Sequence, residues 1–164
     1  MSLRGMFRPG MRAYLIPLVA GVALSVSAFL PWVRVGDVAL AGFPDATGLW
    51  TVGLGALAVL LAVLSLITRK NSRHPLLLVG LVALGIMFLS SRIMQRTVGS
   101  RARTRSQAIA IVEHAPVGAA PAVAVGEGIY LGLIASSVIV AFGLTIVIRR
   151  AAAPYVVPDP NDDI

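Results

Sequence analysis

The sequence predicts an all-α membrane protein, a four-transmembrane-helix bundle with N- and C-termini cytoplasmic. Three observations carry that expectation. Of 164 residues, 57% are hydrophobic and 13% charged, against roughly 45–50% and about 25% in soluble domains. Four stretches hold no Asp, Glu, Lys, Arg or His and come close to the ~20 residues a helix needs to cross a bilayer. Tryptophan or tyrosine flanks three of them, as amphipathic rings do at a membrane–water interface.

Residues 1–150 form a single membrane domain. The spans are about 13–33, 49–68, 75–91 and 128–148. Each must be helical, because the bilayer core offers backbone groups no water. Arg4, Arg8 and Arg12 before the first span, and small residues from Ser25 to Ala28, also fit a secretory leader. The apolar run is longer than a leader's core and ends at Pro31-Trp32, which favours a retained span. Pro17 kinks that span mildly. Residues 92–127 form an Arg-rich outer loop. The stretch 107–126 is rich in Ala and Val but carries Glu113, His114, Pro116 and Pro121, and is not a fifth span. Residues 151–164, with several prolines and Asp159, Asp162 and Asp163, read as a disordered cytoplasmic tail.

Orientation follows from Arg and Lys near the span ends. With the N-terminus inside, the cytoplasmic side holds Arg4, Arg8, Arg12, Arg69, Lys70, Arg73, Arg149 and Arg150. The outer side holds Arg34, Arg92, Arg96, Arg101, Arg103 and Arg105. The balance favours both ends inside. Trp32, Trp50 and Tyr130 then become interface anchors on the same outer face. All basic residues but Lys70 are arginine, a coding bias that points to a bacterial cytoplasmic membrane.

Helices in lipid associate through small residues that allow close approach. The candidate helix-packing residues are Gly21 and Ser25 in the first span, Gly55, Ala58 and Ala62 in the second, and Gly128, Gly132 and Ser136 in the fourth. Internal packing and a seam for a partner both fit these stripes. At 100° per residue, Arg92, Arg96 and Arg103 share one helical face and Arg101 and Arg105 lie roughly opposite. Gly99 weakens a continuous helix there, so the third span is expected to end in a basic turn. The five arginines form a candidate docking patch for an acidic partner or anionic lipid. Nucleic acid is not expected, since no aromatic residues interleave with the charges to stack bases.

The missing chemistry excludes several functions. With no cysteine, disulfide exchange and thiolate metal sites are out. His74 and His114 lie outside the spans, which excludes paired intramembrane haem ligands. No ionisable residue lies in a span, as a proton relay or a proton-coupled antiporter would need. No nucleophile–base pair and no phosphate-binding loop with lysine are present. The expectation is therefore not an enzyme and no cofactor. It is a non-catalytic accessory, assembly or scaffold subunit of a larger membrane complex. Its partners are membrane lipids, other membrane subunits or further copies of itself. The alternative is a small transporter or channel component for a neutral or apolar solute, lined by Ser25, Ser27, Ser65, Ser136, Ser137 and Thr145.

Trp32 followed by Gly48-Leu49-Trp50 resembles the claudin-type tetraspan signature, without its two cysteines. Pro31-Trp32 closing the first span and Gly128-Ile129-Tyr130 opening the fourth resemble small bacterial four-span membrane proteins of unassigned activity. The resemblance implies four spans with both ends inside, and no reaction.

Overall fold

The computed structural model describes residues 13–68, 73–114, 116 and 121–151. It is mostly helical, with four helices and a small three-stranded sheet. The elements run α1 (Leu15–Ser27), β1 (Pro31–Val35), β2 (Val38–Ala41), α2 (Ala46–Thr68), α3 (Arg73–Glu113), β3 (Val123–Val125) and α4 (Glu127–Ala151). Arg4, Arg8, Arg12, Arg69, Lys70 and the acidic tail lie outside the described residues.

The helices form a ring of neighbours. α1 packs on α2 and α4, and α3 closes the ring between them. Three helices are long and apolar enough to cross a membrane: α2, α3 and the Glu127–Thr145 part of α4. The core between them is lined by Leu24, Ala58, Leu76, Met87, Ile129 and Ile139, all fully buried. Large apolar side chains also point outward on every helix, among them Val19, Leu60, Leu78 and Ile134. Bulky apolar side chains facing outward, with glycine and alanine at the helix contacts, suit a bundle whose solvent is lipid.

Three expectations need correction. The first concerns the all-α fold and the span 13–33. α1 has 13 residues and stops at Ser27. Pro31 cannot donate to a helix and disfavours helical Leu30 before it. The chain turns at Ala28–Leu30, and Pro31–Val35 becomes a strand. Gly36 and Asp37 form a two-residue turn, with Gly36 at φ +56°, and Val38 pairs back with Val35. Gly-Asp between two valine-rich runs is a hairpin signal, hidden here within and just after an apolar stretch of span length. β3 adds antiparallel to the other edge of β1, giving the order β2-β1-β3.

The second concerns the outer loop 92–127. α3 does not end near Ser91 but runs 41 residues to Glu113. At ~1.5 Å per residue it is about 60 Å long, twice the ~30 Å hydrocarbon core. A single interior glycine costs only ~1 kcal/mol, and Gly99 is outweighed by good helix formers around it, such as Met94, Gln95, Arg96 and Ala102. The hydroxyls of Ser100, Thr104 and Ser106 return to carbonyls of their own helix and leave its ladder intact. The helix stops at His114, which takes a left-handed φ of 49°, and Pro116 follows, a recurrent C-terminal arrangement.

The third correction is Trp32. It is fully buried rather than an interface anchor. Its ring lies between Gly42 and Gly128. A Cβ on either glycine would stand within 2.6 Å of an indole carbon. The indole Nε1 donates to the Ser27 carbonyl at 2.8 Å, which also accepts from the Leu30 N–H in the turn after α1. Trp32 thus locks the end of α1, the sheet and the start of α4 together.

Candidate functional site

Two regions concentrate the residues singled out by sequence: the helix crossings and the projecting half of α3.

At the α1–α2 crossing, Gly21 faces Gly55. A Cβ on Gly21 would lie 2.9 Å from the Gly55 carbonyl oxygen, and one on Gly55 would lie 2.7 Å from the Gly21 carbonyl oxygen. Ser25 is half-buried beside them, its hydroxyl directed at the carbonyls of Gly21 (3.2 Å) and Val52 (3.4 Å). Ala58 and Ala62 continue the buried face of α2. On α4, Gly128 backs onto Ser27, Leu30 and Trp32, while Gly132 receives the end of Met87 from α3. Ser136 is buried and donates to the Gly132 carbonyl at 2.8 Å. All three small-residue stripes are therefore occupied by the chain's own helices.

The hydroxyls weighed for a transport path behave alike. Ser27, Ser136 and Thr145 each donate to a carbonyl of their own helix. Ser65 is buried and already engaged, and Ser137 faces outward.

Trp50 (67% exposed) and Tyr130 (57%) stand on the outer surface at the sheet end of the bundle, where α2 and α4 begin. Phe29 and Phe43 add an exposed aromatic pair there, with centroids 5.1 Å apart. Tyr14 marks the opposite end, stacked edge-on against Phe142 at 5.2 Å, with the Arg73 guanidinium 5.4 Å from the same ring.

All five arginines of the proposed patch are exposed on α3. Arg92 lies over the Phe88 ring at 5.5 Å. Arg96 and Arg103 flank a shallow groove of mixed polarity with Gln95, Gly99 and the strand-entry residues Pro121–Val123. Arg101 and Arg105 lie on another side, at the rim of an apolar groove of about 470 Å³. Its walls are Val35, Val38 and Leu40 from the hairpin, and Val98, Ala102 and Ile109 from α3. None of the five arginines forms an ion pair among the described residues. The ion pair seen there, Arg34 to Glu127 at 2.6 Å, ties β1 to the first turn of α4. Sequence reading marked the arginines but missed the apolar walls, because those walls form only when the hairpin folds back toward α3. The acid/base candidates Glu113 and His114 are adjacent and exposed at the end of α3, and Glu127 is engaged by Arg34. Among the described residues no cluster of His, Asp or Glu could hold a metal.

No family model, curated protein or solved structure matches the chain.

Proposed function

We propose that this chain is a non-catalytic accessory, assembly or scaffold subunit of a larger membrane complex. In this reading it crosses a bacterial cytoplasmic membrane four times, with both ends cytoplasmic. The observation that carries it is the projecting half of α3. About 20 residues of helix extend past the bilayer thickness and present Arg96, Arg101, Arg103 and Arg105 with no counter-charge among the described residues. A solvated basic helix braced by a sheet is a structure for holding something outside the bundle. Within the bundle, the packing stripes and hydroxyls are satisfied by the chain itself, which gives a transport path no support.

α1 is short, yet it supports a fourth crossing. It reaches from Tyr14, level with Phe142 of α4, to Ser27, level with Gly128. It thus covers the same depth as the fifteen residues Gly128–Phe142 of α4, roughly 20 Å, before the turn and strand begin.

Two measurements check this. The native sequence has no cysteine, so Ser100→Cys introduces a single thiol on an exposed helix face. A membrane-impermeant maleimide should label it in spheroplasts without lysis. Labelling only after lysis would invert the orientation. The tagged protein, extracted in a mild detergent, should have a native mass that includes a stoichiometric companion. A lone monomer or homo-oligomer in every detergent tried would discard the accessory role and bring transport forward.

A further inference from the structure

The groove beneath the hairpin has a definite height above the membrane. Met87 of α3 meets Gly132 of α4, and α4 begins five residues before that, so Arg92 is level with the outer end of α4. Exposed Phe88 and Trp50 mark the same zone. Arg101 and Arg105 lie roughly 13 and 20 Å further along the helix axis. Headgroups occupy only about 5–7 Å outside the hydrocarbon on each side. Arg92 and Arg96 can therefore meet lipid headgroups, whereas the groove stands clear of them and is out of reach of a lipid seated in the bilayer.

Its shape and edges narrow the occupant further. β3 and β1 contact α3, and the wedge opens toward β2. Val38 is 60% exposed and Leu40 39%. β2 is the terminal strand of the sheet, reads Val-Ala-Leu-Ala, and carries neither charge nor proline. Natural edge strands are usually blunted by such residues, because a bare apolar edge pairs with other chains. By the alternation of an antiparallel ladder, with Val35 and Val38 closing the hairpin, the N–H of Ala39 faces the open edge. The rim carries Arg101 and Arg105. Asp37 in the hairpin turn pairs with neither of them. The chain's own acidic residues Asp159, Asp162 and Asp163 follow the far end of α4.

We infer that the wedge between β2 and the projecting half of α3 receives an extended acidic–apolar segment of a partner protein, which adds to the free edge of β2. Backbone groups of the segment pair with β2, and alternate side chains enter the groove, as in strand addition generally. Apolar ones cover Val38, Leu40 and Ile109, and carboxylates meet Arg101 and Arg105. This names the partner chemistry for the accessory reading and rests on it only in taking the occupant to be protein.

The test uses the purified full chain in phosphatidylcholine nanodiscs and a fluorescent peptide of alternating glutamate and valine. A lysine–valine peptide and palmitate serve as comparison probes. The acidic peptide should bind saturably and the lysine peptide should not. Arg101→Glu with Arg105→Glu should weaken binding by at least about tenfold per arginine, and Ala39→Pro should abolish it, with thermal unfolding of both variants close to that of the parent. Absence of peptide binding, equal binding of the two peptides, or displacement by palmitate overturns the proposal. Loss through the arginine changes with none through Ala39→Pro overturns strand addition. If the double variant keeps its stoichiometric companion, the groove assignment fails while the accessory role stands. A parent chain that purifies alone fails the accessory role instead, whatever the peptides do.

Discussion

Trp32→Ala is expected to lower the thermal unfolding midpoint in detergent by on the order of 10 °C. Truncating a fully buried large aromatic costs about 3–5 kcal/mol, and each kcal/mol is worth roughly 2–4 °C in a chain of this size. The loss reaches further than one contact. The indole fills the space between Gly42 and Gly128, and its N–H donates to the Ser27 carbonyl. Gly126 donates to the Trp32 carbonyl at 2.8 Å, so the same residue also holds the start of α4. Trp32→Phe keeps an aromatic ring and loses one hydrogen bond, while the Ser27 carbonyl still accepts from the Leu30 N–H, so it should cost less, with about 0.5–1.5 kcal/mol for the lost bond. A midpoint unchanged by Trp32→Ala would mean that the indole lies at the membrane interface, as its place after Pro31 first suggests.

The second large effect separates two glycines on one helix. Gly55→Ala should destabilise the bundle by about 1–3 kcal/mol, the usual cost of forcing atoms into a packed interior. The new methyl would lie 2.7 Å from the Gly21 carbonyl oxygen and 2.8 Å from the Ser25 amide nitrogen, and backbone cannot swing aside. Gly53→Ala, one half-turn away, meets nothing within 4 Å. It should be neutral or stabilising by up to ~1 kcal/mol, because alanine loses less backbone freedom in a helix than glycine does. Thermal unfolding of the two variants side by side is the measurement. Equal responses would show that α1 and α2 do not cross at Gly21 and Gly55.

Much of the helical layer was legible because it depends on local composition. Charge-free apolar runs and interface aromatics located α2, the membrane part of α3, and α4 near their observed bounds. Spacing of small residues singled out Gly55, Ala58 and Ala62, which lie on the buried face of α2. The division of the arginines between two faces of α3 was also readable from 100° periodicity. Arg96 and Arg103 line one groove, and Arg101 and Arg105 the other.

The errors share a physical cause. An apolar run does not announce whether it is a lipid-facing helix or a strand buried against protein, so Pro31–Val35 was absorbed into a span. A glycine lowers helix propensity by a fixed small amount, but the outcome depends on the whole segment, so Gly99 did not break α3. An aromatic next to a span end suits the interface equally well as the core.

Taken alone, the sequence determined that the chain holds helices apolar and long enough to cross a membrane, roughly where they run, and that five of its arginines gather between residues 92 and 105. Those properties are sums over neighbouring residues. Tertiary structure alone decided that Trp32 is a core residue, that residues 31–41 and 123–125 join in one sheet, and that the sheet stands beside a helix of 41 residues. Each of these depends on partners brought together from distant parts of the chain: Gly42 and Gly128 around the indole, β3 beside β1, and Val38 and Leu40 across from Ile109.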